Sequence, residues 1–226
     1  MDVGGRATQD TKAENEASTK KSNFEISSSM DQLQRTKEYL NESVQLILDT
    51  SEQIAPAIVS ASEMITDCLL SENKVLSCGN GGSAASALHF SSVMLNRLEF
   101  ERPGLPAICL ASDSATLTSI ANDYQYADIF SKQIRAIGQP GDVLMAITTS
   151  GDAHNIIHAI DAAHDRKMNI IALTGREGGQ ITDLITETDL EIRVPNWSTA
   201  RIQELHIIII HSICDLIDRH LLGAGD

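Results

Sequence analysis

The feature that most constrains this fold is an alternation of short apolar runs with helical patterns along residues 74–222. Five runs predict buried strands: Lys74–Cys78, Pro106–Leu110, Asp142–Thr148, Met168–Leu173 and Leu190–Val194. Helical periodicity marks six further segments: Ser83–Arg97, Ser114–Asn122, Ile129–Ile137, Ala153–Arg166, Gly179–Leu184 and Thr199–Leu222. Strands that alternate with helices form a parallel sheet with both faces covered. The sequence therefore predicts a doubly wound α/β fold with three layers and a five-stranded parallel sheet.

Two segments precede this α/β unit. Residues 1–30 mix charges with Ser, Thr and Gly and hold almost no large apolar side chains, so we expect a disordered tail. Over residues 31–72 apolar residues recur at steps of three and four, which predicts long N-terminal helices. Pro56 interrupts that pattern and predicts a break between two helices. The expected domains are a tail over 1–30, a helical segment over 31–72 and the α/β domain over 73–222.

Charge and composition exclude several classes of function. The formal net charge of -14 argues against direct binding to nucleic acid, which requires a basic face. No apolar run approaches the roughly 20 residues of a membrane span, and the polar first residues do not resemble a signal peptide. The four cysteines form no CxxC pair, which is typical of reduced thiols. We therefore expect a cytoplasmic protein that does not associate with membranes.

Loops rich in glycine and hydroxyl groups follow two of the predicted strands. The first strand leads into CGNGGS (residues 78–83), and the third leads into TTSGD (residues 148–152). Neither loop contains a Walker or a dinucleotide-binding pattern. Each loop alone is also explained by capping of the following helix. Together, at the carboxyl ends of strands in one sheet, they predict a phosphate site built from neutral donors.

Other polar residues stand in apolar or helical surroundings. Asn122 and Asp123 follow the second strand, where they either bind sugar hydroxyls or cap the adjoining helices. His89 lies two turns into the helix after the glycine loop. Gln203 and His211 lie on the last helix eight residues apart, which is about 12 Å along its axis. Such residues either are satisfied inside the core or belong to an active site or a subunit interface.

Taken together, these segments resemble the phosphoheptose isomerase family of sugar isomerase (SIS) domains. The matching stretches are LSCGNGGSAASALHF, NRLEFERPGLPAI, TSIANDYQYADIFSKQIRAIGQPGDVL, TTSGD, ALTGREGG and TARIQELH. The resemblance implies an SIS domain that binds a phosphorylated sugar. It further implies conversion of sedoheptulose 7-phosphate to D-glycero-D-manno-heptose 7-phosphate for lipopolysaccharide heptose. It also implies a homotetramer with active sites between subunits, and zinc as a cofactor.

The resemblance also assigns roles by position. It implies substrate contacts from Asn80, Gly81, Gly82, Asn122, Asp123, Thr148, Thr149, Ser150 and Gln203. The glycine loop itself adds the hydroxyl of Ser83. The implied metal ligands are His89, Gln203 and His211, and His211 is also the implied catalytic acid. Two positions depart from the family: Val93 replaces a glutamate that would act as base and ligand, and Ala153 replaces a serine.

A second resemblance leads to a different class of function. RPGLPAI, SKQIRAIG and CDLID are similar to a non-catalytic SIS protein that binds the replication initiator DnaA and also lacks the glutamate. That relative does not keep a histidine at the position of His211, and its Leu-Phe pair corresponds here to Leu221 and Leu222. Two functions stay open at this point. The isomerase is favoured because His89, Gln203 and His211 are all present, and the alternative is a regulator of replication initiation.

Overall fold

The computed structural model describes the backbone of residues 7–223 and the side chains of residues 30–223. Five strands form one sheet: β1 Val75–Gly79, β2 Ala107–Cys109, β3 Val143–Ile147, β4 Asn169–Gly175 and β5 Leu190–Val194. They lie in the order β2-β1-β3-β4-β5, and every neighbouring pair is parallel. Each strand overlaps the apolar run that predicted it. The α/β class and the five-stranded parallel sheet are therefore confirmed.

The helices lie between the strands and at both ends of the sheet domain. They are α1 Ala7–Leu70, α2 Gly82–Leu95, α3 Ser114–Asp123, α4 Ser131–Ile137, α5 His154–Asp165 and α6 Thr199–Leu222. Two short segments, Tyr126–Asp128 and Gly179–Asp183, are 3₁₀ helices. Among the described residues no helix is both long and apolar enough to cross a membrane.

Successive residues of a strand point to opposite faces of the sheet. Most strand residues here are apolar, so both faces of the sheet are apolar. Val75 and Met145 belong to the core shared with α2, α6 and the C-terminal part of α1. Leu76 and Leu144 belong to the core shared with α3, α4 and α5. Burial on both sides explains why the strands are continuous apolar runs with no alternation. The site region is thus flanked by two separate helical layers.

Helix α1 passes through Pro56 without a break, so the predicted division into two helices is wrong. A proline inside a helix removes one hydrogen bond and costs about 3 kcal/mol. Ile54 and Ala61, on either side of Pro56, are buried in the core. Burial of such apolar side chains contributes about 1.5–3 kcal/mol for each large residue, which offsets the cost.

The N-terminal region differs from expectation as well. The backbone of residues 7–30 is part of α1, where composition predicts a disordered tail. Composition reports on burial against other elements, whereas a helix makes its backbone hydrogen bonds internally. The chain divides between Gln45 and Leu46 into two compact units. The domain limits after residues 30 and 72 stay predictions.

Candidate functional site

The strand order reverses between β1 and β3, and ligands of doubly wound sheets bind beyond the carboxyl ends of the strands at such a point. From β1 the chain continues to β2 on one side of the sheet. From β3 it continues to β4 and β5 on the other side. Gly79 at the end of β1 pairs with Ile147 at the end of β3. The loops over residues 80–83 and 148–152 therefore begin side by side.

The glycine loop offers open backbone and a close contact with α6. Gly81 precedes α2 with φ of 54°, and nothing lies within 4 Å of the point where a Cβ would stand. A Cβ on Gly82 would collide with Nε2 of Gln203. Gln203 therefore rests on the loop, and only glycine at position 82 allows this contact. Ser83 is buried, and its N–H donates to the Asn80 carbonyl at 2.9 Å.

Asn80 is held in place by two residues that the sequence reasoning missed. Its side-chain amide exchanges two hydrogen bonds with that of Asn155 on α5, both of 2.8 Å. Its Oδ1 also accepts a hydrogen bond from the hydroxyl of Tyr126 at 3.0 Å. Asn155 is buried at the start of α5. The polar side chain of Asn155 at a buried helical position was the one available signal in the sequence, but its partner Asn80 lies 75 residues away.

Two of the three hydroxyl groups in the second loop accept hydrogen bonds from backbone N–H groups of the same loop, and the third does not. Thr148 Oγ1 accepts from the N–H groups of Ser150 and Gly151 at 3.4 and 3.3 Å. Ser150 Oγ accepts from the N–H of Asp152 at 3.2 Å. These contacts shape the turn ahead of α5. The N-cap of that helix is Ala153, which receives no side-chain hydrogen bond, so the capping interpretation is wrong for both residues. Thr149 is half-buried, and its hydroxyl makes no hydrogen bond among the described residues.

Asn122 and Asp123 lie at the end of α3 and are exposed. Asn122 Nδ2 donates to Asp123 Oδ1 at 2.9 Å. Neither side chain forms a hydrogen bond with the two loops in the described part of the chain. Their expected role in binding sugar hydroxyls stays a prediction.

His89 and His211 meet across the contact between α2 and α6. Their Nε2 atoms are 2.8 Å apart, and the ring centroids are 5.0 Å apart with the rings inclined by 69°. Because two imidazole nitrogens form this bond, one must carry the proton and the other must accept it. Burial, followed by repulsion from His211, lowers the pKa of His89. The pair therefore places a donor and an acceptor of protons in direct contact.

Val93 lies one turn beyond His89. It is buried and packs among apolar side chains of the core. Arg102 donates to the backbone carbonyls of Val93 and Met94 at 3.0 and 2.9 Å. The same guanidinium forms an ion pair with Asp218 on α6, and both side chains are 1% exposed. Sequence reasoning missed this pair, which joins the end of α2 to α6.

The three expected metal ligands form two separate contacts in the described part of the chain. Gln203 contacts the N-terminus of α2 at Gly82, while His211 contacts His89 two turns further along. No group of three or more His, Cys, Asp and Glu among the described residues is placed to hold a metal. Two tetrahedral zinc ligands are about 3.4 Å apart, so the histidine pair would have to open slightly to bind zinc. His89 and His211 are thus two nitrogen ligands already in direct contact, and the expected zinc site stays a prediction.

Comparison with known proteins identifies relatives over most of the chain. The family model for the SIS domain matches residues 38–175. The phosphoheptose isomerase of Chromohalobacter salexigens is 57% identical over 197 residues, which cover 87% of this chain and 100% of that protein. The phosphoheptose isomerase of Coxiella burnetii is 54% identical, with 87% of this chain and 99% of that protein covered.

Solved structures give the same result. A phosphoheptose isomerase from Francisella tularensis has a TM-score of 0.81 and 45% identity, and the match covers 83% of this chain and 98% of that chain. The phosphoheptose isomerase GmhA from Neisseria gonorrhoeae has a TM-score of 0.78 and 44% identity, with 82% and 98% covered. The relatives described here give no support to the initiator-binding alternative.

Proposed function

Because this chain belongs to the phosphoheptose isomerase family of SIS domains, we propose that it converts sedoheptulose 7-phosphate to D-glycero-D-manno-heptose 7-phosphate. Identity above 50% over the full length of two isomerases supports an aldose–ketose isomerase. The observation that carries the proposal is the hydrogen bond between His89 and His211. It joins a proton donor and a proton acceptor in a chain that lacks a carboxylate at position 93.

The phosphate group is assigned to the two loops at the reversal of strand order. Gly81 leaves the N-terminus of α2 open, and on the second loop the hydroxyl of Thr149 makes no hydrogen bond among the described residues. Backbone N–H groups at a helix N-terminus attract anions locally, which matters in a chain with net charge -14. Gln203, which lies against Gly82, is then positioned to contact the sugar next to the phosphate.

The reaction moves one proton between neighbouring carbons. A base removes a proton from C1 of the ketose while the C2 carbonyl oxygen gains one, which gives an enediol. Loss of the C1 hydroxyl proton and return of a proton to C2 then give the aldose, with no external oxidant or reductant. One imidazole of the His89–His211 pair serves as base and the other as acid, each restored by the end of the cycle.

Assembly, cofactor and location belong to this proposal too. Helix α1 exposes the apolar side chains of Leu33, Leu40 and Val44, and exposed apolar surface of this kind supports a homotetramer. Zinc is proposed as an alternative occupant at His89 and His211, with the remaining ligands from water or another subunit. When bound, it would polarise the substrate carbonyl and would take the Nε2 atoms of both imidazoles out of the proton transfer. A cytoplasmic enzyme of lipopolysaccharide heptose synthesis fits this chemistry. Light scattering at micromolar concentration tests the tetramer.

The test of function is an isomerase assay with sedoheptulose 7-phosphate, with and without zinc, followed by NMR of the product. We expect turnover by the wild type, and a loss of about 10²–10⁴-fold in kcat for His211→Ala. His220→Ala is the matched control, since His220 is exposed at the end of the same helix. An inactive wild type that binds the sugar phosphate would refute the isomerase, and binding to DnaA would then be measured.

A further inference from the structure

Two separate cavities lie near the glycine loop: one of about 390 Å³ beside Gln203, and one of about 570 Å³ on the other helical layer. The second cavity lies between the loop after β1, the 3₁₀ helix Tyr126–Asp128 and the first turns of α5. Its polar lining is formed by Asn80, Gln125, Tyr126, His154, Asn155 and His158. Only Asn80 of these residues is among the substrate contacts expected from the sequence. The cavity therefore begins at two positions of the predicted site, Asn80 and Ala153, and extends it toward Tyr126 and His158.

The hydrogen bonds around Asn80 determine what its neighbours can still offer a ligand. Tyr126 donates its hydroxyl proton to Asn80 Oδ1, so its phenolic oxygen is left as an acceptor. Asn80 Oδ1 already accepts from Tyr126 and Asn155, and one of the two Nδ2 protons is given to Asn155. Asn80 is therefore left with one N–H donor. Tyr126 is 62% exposed, so its ring also presents an apolar face.

The contact with a carboxylate determines which ring nitrogen of His158 acts as a hydrogen-bond donor. Its Nδ1 lies 3.2 Å from Oδ1 of Asp128. A carboxylate oxygen accepts hydrogen bonds, so Nδ1 is the donor in this contact, and in the neutral form of the imidazole Nε2 is then an acceptor. Nε2 makes no hydrogen bond with any residue in the described range. Two acceptors, on Tyr126 and His158, thus stand in one cavity with the Asn80 donor.

We propose that this cavity binds the hydroxylated carbon chain of the sugar phosphate, with Tyr126 and His158 as specificity-determining residues. A hydroxyl group both donates and accepts, so it satisfies the acceptors on Tyr126 and His158 as well as the donor on Asn80. A phosphate at neutral pH is mainly an acceptor and would leave both acceptors without partners. The ring face of Tyr126 matches the C–H groups of a sugar chain. This inference rests on the proposed function, because it assumes a sugar-phosphate substrate.

The experiment is calorimetry of the full chain with two probes, sedoheptulose 7-phosphate and inorganic phosphate. We expect Tyr126→Phe and His158→Ala each to raise the Kd of the sugar phosphate about three- to tenfold. The Kd of inorganic phosphate should stay unchanged. The controls are Tyr124→Phe, whose ring lies under Lys132, and His164→Ala, whose imidazole bonds to Asp189 outside the cavity. Both should bind the two probes as the wild type does.

The outcomes separate this inference from the proposed function. Weaker sugar-phosphate binding in Tyr126→Phe and His158→Ala supports the cavity even if the wild type shows no turnover. Unchanged sugar-phosphate affinity in both variants overturns the inference even if the wild type is an active isomerase. Weaker binding of inorganic phosphate in either variant also overturns it, because the cavity would then hold the phosphate. Tyr126→Phe also removes the hydrogen bond to Asn80 Oδ1, whereas His158→Ala leaves that bond intact, so weaker sugar-phosphate binding is required in both variants.

Discussion

The two sides of the sheet each place a histidine near the site region, and the two histidines have different neighbours. On the side of α2 and α6, His89 bonds to the imidazole of His211. On the side of α5, His158 bonds to the carboxylate of Asp128. Two imidazoles exchange donor and acceptor roles, whereas a carboxylate fixes one tautomer. The first pair is suited to moving a proton, and the second is suited to recognising a hydroxyl group.

The surroundings of the two histidines differ in the same way. Two turns beyond His211 on α6, Asp218 forms an ion pair with Arg102, and both side chains are 1% exposed. Near α5, Arg135 and Asp165 form a pair with side chains that are 51% and 67% exposed. Groups that move protons require fixed distances, and a buried network fixes them. A recognition surface tolerates more solvent because water can be exchanged for ligand hydroxyls.

The largest expected effect tests this difference in rigidity. Arg102→Ala leaves Asp218 as an unpaired buried charge, so it should lower the free energy of unfolding by about 3–5 kcal/mol. Arg135→Ala, the matched control, should change it by about 0–1 kcal/mol. Urea denaturation of the two variants measures both values. Equal losses in the two variants would show that the α2–α6 side is not the more tightly held one.

Acid should lower the free energy of unfolding through the titration of His206 on α6. Its Nε2 lies 2.9 Å from the Thr174 carbonyl, and burial lowers its pKa to about 4. The folded state therefore favours neutral His206, and stability falls as the pH drops below about 6.5 until it reaches about 4. The total loss is on the order of 3 kcal/mol. His206→Gln keeps a donor and does not titrate, so its stability measured by urea denaturation should depend less on pH over this range.

If His206→Gln and the wild type show the same pH dependence, His206 is not the group responsible. The carboxyl groups of Glu191 and Asp113 also have lowered pKa values. Their contributions to stability are lost at lower pH, since an unfolded carboxyl group binds protons only near pH 4. The interval between about pH 6.5 and 4.5 therefore reports mainly on buried histidine.

The smallest effect is expected from a variant that gives His89 a carboxylate neighbour, as His158 already has in Asp128. Val93→Glu places a carboxylate one turn from His89 on the same helix face. We expect kcat to rise at least about tenfold, which is below the usual 10²–10⁴ for a base because the surroundings are apolar. Val93→Gln is the control of equal shape that cannot act as a base. A gain of the same size with glutamine would contradict a role for the carboxylate.

The sequence predicts the sheet and the two loops because both depend on local patterns. Apolar runs mark β1 to β5, and glycine with hydroxyl residues marks the turns after β1 and β3. Pro56 was misjudged, because packing of residues on either side of it outweighs a local preference. The partners of Asn80 were missed for another reason. Tyr126 and Asn155 lie 46 and 75 residues away, and no local pattern relates them to the glycine loop.

The contact between His89 and His211 also could not be predicted from a local pattern, because the two residues are 122 positions apart. Motif resemblance grouped His89, Gln203 and His211 as ligands of one metal. The structure joins His89 to His211 and sets Gln203 against Gly82. Helix geometry already separates Gln203 and His211 by about 12 Å. Only the packing of α2 beside α6 decides which of the two meets His89.

Deuterium incorporation tests the central claim, that the His89–His211 pair transfers the proton, most directly. Sedoheptulose 7-phosphate is converted in D₂O, and NMR measures deuterium at C2 of the aldose. A proton carried by an imidazole exchanges with solvent, so the wild-type product should contain deuterium at C2. The variant with His89→Gln and His211→Gln should form product at least about a hundredfold more slowly. Product without deuterium, or wild-type rates in the variant, would contradict the account.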